Sequence, residues 1–383
     1  MQHRLTQIPV WLVAAALSGA ALPSFAQNQS AETVATSPAI EAYIRARTAF
    51  EQEAEAYWQS IADKRRARFA KRRSGEPIVL DDYVLMQPPV YSGPPRPPGY
   101  VPPRQDPDKP PVPIPTIPEF LQAAAEQYNF VPDRPSEADF KSAYARVAAA
   151  AGLTREQAVR IYAFETGGNG GYDSQAGLVP PRKDARPISP AIGYNQLLST
   201  NSVSLLAEHG EKFVASLSRS ASRSEAAERK ALERKIAALQ KMIAFSRSVP
   251  NAWSEHDKLA KFTDGGKGIH ALVLDRDIGP LLQTQKLLNS VLFARAKGLS
   301  RPLTAAELEL MNFTGDGNGF DMVTMPQALR ERVPTSNFFQ RSGYERNPIA
   351  KRTGVVAALF ESIDKKMDSA SQAPGARELA QAF

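Results

Sequence analysis

Thr154-Arg-Glu-Gln-Ala-Val-Arg-Ile-Tyr-Ala-Phe-Glu165-Thr-Gly-Gly-Asn-Gly-Gly171 is the stretch on which the fold turns. Thr154, followed three residues later by Gln157, forms a capping box that starts a helix, and the glycines from Gly167 end it. Ala158, Ile161, Tyr162 and Glu165 recur at spacings of three and four, which places them on one helical face. Three of these are apolar, so the face turns inward and carries a carboxylate on the last turn of a buried stripe. Burial disfavours the ionised form, and the negative end of the helix does the same, so both raise the pKa of Glu165. A carboxyl that stays protonated near neutral pH is what general-acid cleavage of a glycosidic bond requires. The plainer alternative is a helix-terminal glutamate that points to water.

The chain on either side has the same periodicity. Ser136 with Asp139 opens an amphipathic segment carrying Phe140, Tyr144, Val147 and Ala148, which Gly152 closes. Helix-forming patterns also cover 226–244 and 279–298, and runs of β-branched residues with period two are few, so the fold class is mainly α. No internal repeat at solenoid spacing is present. From Pro38 the apolar positions Ile40, Tyr43, Ile44, Phe50, Tyr57, Trp58 and Ile61 trace another helix, running into Lys64-Arg-Arg-Ala-Arg-Phe-Ala-Lys-Arg-Arg73. That basic run reads as a solvated helix end. As the alternative, it is a weak contact surface for anionic envelope polymer or lipid. Residues 86–118 are dominated by proline, which fixes φ and lacks an amide donor, so they read as a semi-rigid spacer in extended form.

The first residues, with Arg4, a short apolar run from Ile8 to Leu17 and Ser24-Phe25-Ala26, have the form of a secretory signal peptide cleaved after Ala26. This predicts export to the periplasm as a soluble protein. The 383 residues include no cysteine, which excludes disulfides, thiolate metal sites, cysteine nucleophiles and a lipidated N-terminal cysteine. With 47 Lys and Arg against 40 Asp and Glu, the charge surplus suits an acidic polymer or membrane surface nearby and calls for no nucleic acid. His209, His256 and His270 are far apart and lack metal-ligand spacing, and neither a phosphate-binding Gly-Lys-Ser/Thr loop nor a Gly-x-Ser-x-Gly elbow occurs. No metal and no cofactor is expected.

Downstream of Glu165 lies Ser189-Pro-Ala-Ile-Gly193-Tyr-Asn-Gln196-Leu-Leu-Ser-Thr200, continuing to Gly210. Together with Glu165-Thr166, this resembles the soluble lytic transglycosylases. Their pattern is a helix ending Glu-Ser, then Ser-Pro-x-Gly-Ala-x-Gly-Leu-Met-Gln-Leu-Met-Pro-x-Thr-Ala, and later Ala-Tyr-Asn-x-Gly. The similarity spans about Ser136 to Ser342. It implies a lysozyme-like helical domain acting on the glycan strands of peptidoglycan, with Glu165 as acid and then base while the sugar's own C6 hydroxyl attacks C1 to leave a 1,6-anhydro end. Gly193 would let backbone approach a sugar, and the amides of Asn195 and Gln196 offer paired donors and acceptors. Tyr194 has two readings, stacking on a sugar or packing in the core.

Several features depart from that pattern. Glu165 and Ser189 stand 24 positions apart, more than twice the family spacing, and the excess, 167–187, reads as a groove wall or lid, or else as disorder. Residues 211–270 read as an insertion after a helix that ends at Gly210. Where Ala-Tyr-Asn-x-Gly should lie stands Asn312-Phe313-Thr-Gly315-Asp-Gly-Asn-Gly-Phe-Asp321, with only Gly315 in register. This segment is expected to be a loop lining the same groove, with Asn312, Phe313 or Gly315 at the substrate and a group from residues 312–314 near the Glu165 carboxyl. Its Asp316, Asn318 and Asp321 fail the oxygen-ligand spacing of a calcium-binding loop. The expected organisation is thus a signal peptide (1–26), a basic N-terminal helical segment (27–85), the proline-rich linker (86–118), a lysozyme-like domain with inserted loops (119–368) and a flexible tail (369–383). Two alternatives accompany the transglycosylase reading: a hydrolysing muramidase, with Asp173 or Asp316 as the second carboxylate, and a peptidoglycan-binding scaffold without catalysis.

Overall fold

The computed structural model describes residues 37–102, 113–178 and 185–383, so the expected signal peptide and the residues up to 36, the centre of the proline-rich stretch and residues 179–184 lie outside it. The architecture is mainly α. Sixteen helices are present among the described residues: α1 (Pro38–Ser74), α2 (Ile117–Tyr128), α3 (Glu137–Ala150), α4 (Arg155–Thr166), α5 (Ser199–Ala221), α6 (Ala226–Ser246), α7 (Trp253–Phe262), α8 (Asp264–His270), α9 (Gly279–Ala296), α10 (Ala305–Thr314), α11 (Asp316–Thr324), α12 (Gln327–Arg330), α13 (Arg341–Glu345), α14 (Pro348–Thr353), α15 (Val356–Ser371) and α16 (Pro374–Gln381). Strand pairing among these residues is limited to isolated bridges, Gln175 with Ile192, Ile192 with Leu197 and Pro334 with Val355. None of their helices is long and apolar enough to cross a membrane.

The described residues group into two compact units, 37–48 with 92–101 and the remainder. In the smaller unit Tyr43 and Tyr100 meet edge-on with ring centroids 5.3 Å apart. The larger unit takes α1 from Ala49 onward and contains every candidate site residue.

Within that unit α4 is central. Thr154 and Gln157 cap it reciprocally as its sequence predicts, and seven of its twelve residues are buried, against α3, α10, α15 and α16. A helix enclosed on several sides holds its last turn in a fixed place, which is what a positioned acid needs.

Four expectations about organisation are corrected. The basic run of α1 is not a solvated end. Arg68 is fully buried, its guanidinium 4.4 Å from the Tyr83 ring centroid and bonded to the carbonyls of Asp82 (2.9 Å) and Asn337 (3.1 Å). Arg65 donates to the carbonyls of Asn337 and Phe339, Arg72 pairs with Asp321 and Lys71 with Asp82, so most of the charge meant for an anionic polymer is already engaged. The boundary drawn at 118/119 fails for the same reason, because Tyr57, Trp58 and Ile61 sit in one core with Tyr83, Phe338 and Tyr344. The segment 369–383 is not a flexible tail: α15 runs to Ser371, α16 buries Ala376 and Leu379, and the Gly375 amide donates to Asn169 Oδ1 at 3.1 Å. Gly210, expected to end a helix, lies inside α5. A Cβ there would come within 2.4 Å of Ile243, so glycine serves the close crossing of α5 and α6.

Candidate active site

Glu165 stands at the end of α4, half-buried, with Gly167 closing the helix in left-handed conformation at φ 67°. Across from it, α10 presents two side chains one turn apart. The Asn312 Nδ2 donates to Glu165 Oε1 at 3.3 Å. Glu309 is fully buried, and neither of its carboxyl oxygens accepts a hydrogen bond of good geometry from a protein donor among the described residues. A buried ionised carboxylate without donors would be very costly. A protonated one costs far less, and the neighbouring Glu165 carboxyl is a group to which its O–H can donate. Burial is the main cause that lifts Glu309 well above the usual carboxyl range, and the neighbouring Glu165 charge adds to it. Burial lifts Glu165 as well, opposed by the ammonium of Lys286, the hydrogen bond with Glu309 and, more weakly, Lys366. Two adjoining carboxyls in such a place do not both ionise, so the pair retains a proton well above the pH at which a free glutamate loses its own.

Beside the pair lies a groove of about 470 Å³. Its walls come from α5 (Asn201, Glu208), the first residue of α7 (Trp253), α9 (Lys286, Asn289) and the α10–α11 junction, where Gly315 and Asp316 join Asn312. Asn312 and Lys286 line the groove and also act directly on Glu165, which makes groove and carboxyl pair neighbours. The Asn312–Asp321 segment, expected as a loop, is the end of α10, a break at Gly315 and then α11. The expected approach of residues 312–314 to Glu165 is made by the Asn312 amide.

The remaining candidate residues have other places. Tyr194 is buried with its hydroxyl donating to Glu137 Oε1 at 2.6 Å and its ring edge-on to Phe140, Tyr144 and Tyr162; it packs the core and offers no face to a sugar. Gly193, at φ 85°, admits protein and not substrate, since a Cβ would meet Gln283 Nε2 at 2.0 Å. The Asn195 backbone amide donates to Gln283 Oε1 and its Nδ2 to the Gln283 carbonyl, each at 2.9 Å. Gln196 turns its Nε2 back onto the Gly193 and Ser174 carbonyls. The Ser189 hydroxyl accepts from the Ala191 amide within its own loop. This motif therefore clamps α9 through Gln283, and Lys286, one turn along, is thereby held toward Glu165. Phe313 packs on Phe339 with centroids 5.6 Å apart. The described parts of 167–187 are not among the groove's walls and are tied down, as where Tyr172 stacks on Phe140 at 4.4 Å.

Of the carboxylates considered as a second acid, Asp173 pairs with Arg134 at 2.7 Å, while Asp316 accepts from Ser290 at 2.6 Å on the groove wall. Glu309, Lys286 and Trp253 were not singled out in the sequence. Glu309 has a readable signal, an acid one turn before Asn312 on an apolar helix, but its partner is remote in sequence.

Fold and site together define a helical protein with a proton-holding glutamate pair beside a polar groove. Comparisons with protein-family models, with curated proteins and with solved structures gave no match.

Proposed function

We propose that the protein is a peptidoglycan lytic transglycosylase with a lysozyme-like catalytic domain, exported to the periplasm, in which Glu165 is the general acid and base. The observation that supports this most is Glu165 itself, a carboxyl that burial raises above the ordinary range, held by Asn312 beside a groove and paired with the buried Glu309. In this reading Glu165 passes its proton to the oxygen of the β-1,4 link between N-acetylmuramic acid and N-acetylglucosamine as the C1–O bond breaks. The resulting carboxylate then takes the proton of the muramyl C6 hydroxyl while that oxygen bonds to C1, leaving a 1,6-anhydro end and consuming no water. Taking that proton returns Glu165 to its starting form, and Asn312 keeps the carboxyl oriented.

Mass spectrometry of sacculi digested with the purified protein tests the reading. Anhydro-muramyl ends are expected. Reducing ends would mean hydrolysis, with Asp316 on the groove wall as the residue to activate water. No released fragments would leave a glycan-binding protein. Glu165→Gln keeps the shape of the side chain and removes the transferable proton, so lysis should fall by about 10² to 10⁴, with an unchanged circular-dichroism spectrum. Wild-type rates in this variant would overturn the assignment of the acid.

A further inference from the structure

The groove holds a side chain that the proposed chemistry does not use. Trp253 is 53% exposed on a wall otherwise made mainly of polar side chains. It begins α7, directly after Pro250-Asn251-Ala252, and more than half of its surface stays in water. An indole left in water is a large apolar surface that a fold has no internal reason to present, and exposed aromatics inside a concave site are characteristic of ligand contact. The other walls suit a polar ligand with an apolar face. Asn201 on α5 accepts the Leu198 amide through Oδ1 at 3.0 Å, which leaves its NH₂ to donate outward. Glu208 lies two turns further along the same face of α5, exposed, with a carboxylate that accepts from hydroxyls. A β-1,4-linked aminosugar has this complementarity: its ring substituents are equatorial, so both faces of the ring present C–H groups, and its rim presents hydroxyl and N-acetyl groups.

We propose that this groove is a subsite for an N-acetylated aminosugar ring, with the Trp253 indole as the platform beneath its C–H face and Asn201 and Glu208 on its polar rim. The inference rests on the reading of Glu165 as a glycan-cleaving acid, and it assigns a role to the segment 211–270, whose α7 carries the platform to the groove. Productive binding then lays the glycan from Trp253 toward Lys286, Asn312 and the carboxyl pair.

The test is a titration of the Glu165→Gln protein without residues 1–26 with triacetylchitotriose, followed by calorimetry and by tryptophan emission. Of the three tryptophans, Trp11 is then absent and Trp58 is packed against Tyr57 and Tyr344 in the core, so a change on binding reports Trp253. Saturable binding with a change in emission is expected. Adding Trp253→Ala should remove the emission change and weaken binding by about tenfold or more, and Trp253→Phe should recover part of the affinity. Equal affinity with and without Trp253, or no binding of the trisaccharide, would overturn the subsite. The two readings fail separately. Loss of affinity in Trp253→Ala alongside undiminished lysis by Glu165→Gln would keep the subsite and remove the proposed acid. Loss of lysis in Glu165→Gln with an unchanged KM in Trp253→Ala would do the reverse.

Discussion

Glu309 shows how a single residue can be decisive and still be hard to find in a sequence. Its helix reads Ala-Ala-Glu307-Leu-Glu309-Leu-Met, and nothing local distinguishes the two acids. Glu307 bonds to Arg301 and caps α10 at Thr304, while Glu309 turns into the core. The consequence can be measured through pH. Because the folded protein holds Glu309 well above the ordinary value of 4.5, the native state binds a proton that the unfolded chain has released, and wild-type stability falls as pH rises from about that value through the folded pKa. Glu309→Gln has no such proton to lose. Its free energy of unfolding, from chemical denaturation, should match wild type near pH 4 and exceed it at pH 8 by about 1 kcal/mol or more. Equal stability of the two proteins at pH 8 would show that Glu309 is ionised at little cost and would remove the proton-holding pair.

At the scale of elements, the legible features were those with local causes. The capping of α4 by Thr154 and Gln157, and the end of that helix at Gly167, follow from hydrogen bonds within a few residues. Gly210 is ambiguous in the sequence because glycine has two uses, and local order does not say which applies. Here it is a notch that lets α6 cross α5 against Ile243. Gly210→Ala should therefore destabilise by about 1 to 3 kcal/mol through overpacking, more than a helical alanine returns in propensity. Combined with Ile243→Ala the cost should be less than the sum of the single changes, which chemical denaturation of the four proteins in the cycle would reveal. Additive effects would mean that the two helices do not meet there.

At the scale of the whole molecule, composition and structure part company most. A proline-rich stretch between two helical regions suggests a spacer and a removable N-terminal arm. Instead, Asn337 sits fully buried, donating from Nδ2 to the Val84 carbonyl at 2.8 Å, accepting the Val84 amide at 3.0 Å and giving its own carbonyl to Arg65 and Arg68. Removing 49–91 would strip all of these partners from one buried residue, and each unsatisfied polar group costs about 1 to 3 kcal/mol. A fragment of residues 119–383 should thus lose the cooperative thermal transition of the full chain, whereas one starting at Ala49 should keep it. A cooperative melt of the shorter fragment near the temperature of the intact protein would restore the boundary at 118.

What the amino-acid order determined by itself is the helical class, the caps and the placing of Glu165 on the last turn of an apolar face. Each depends on interactions between residues three or four apart, which periodicity records. What only the tertiary structure decided is the company Glu165 keeps: Asn312 and Glu309 from α10, Lys286 from α9 and, across the groove, Trp253. It also turned Gly193 to Gln196 from a supposed sugar contact into the clamp on Gln283 that holds α9 in place. These pairings join residues dozens to more than a hundred positions apart, and the energy that selects them is desolvation. Whether a carboxyl, an amide or a guanidinium faces water or protein is settled by how the helices stack and leaves no local periodic mark in the sequence.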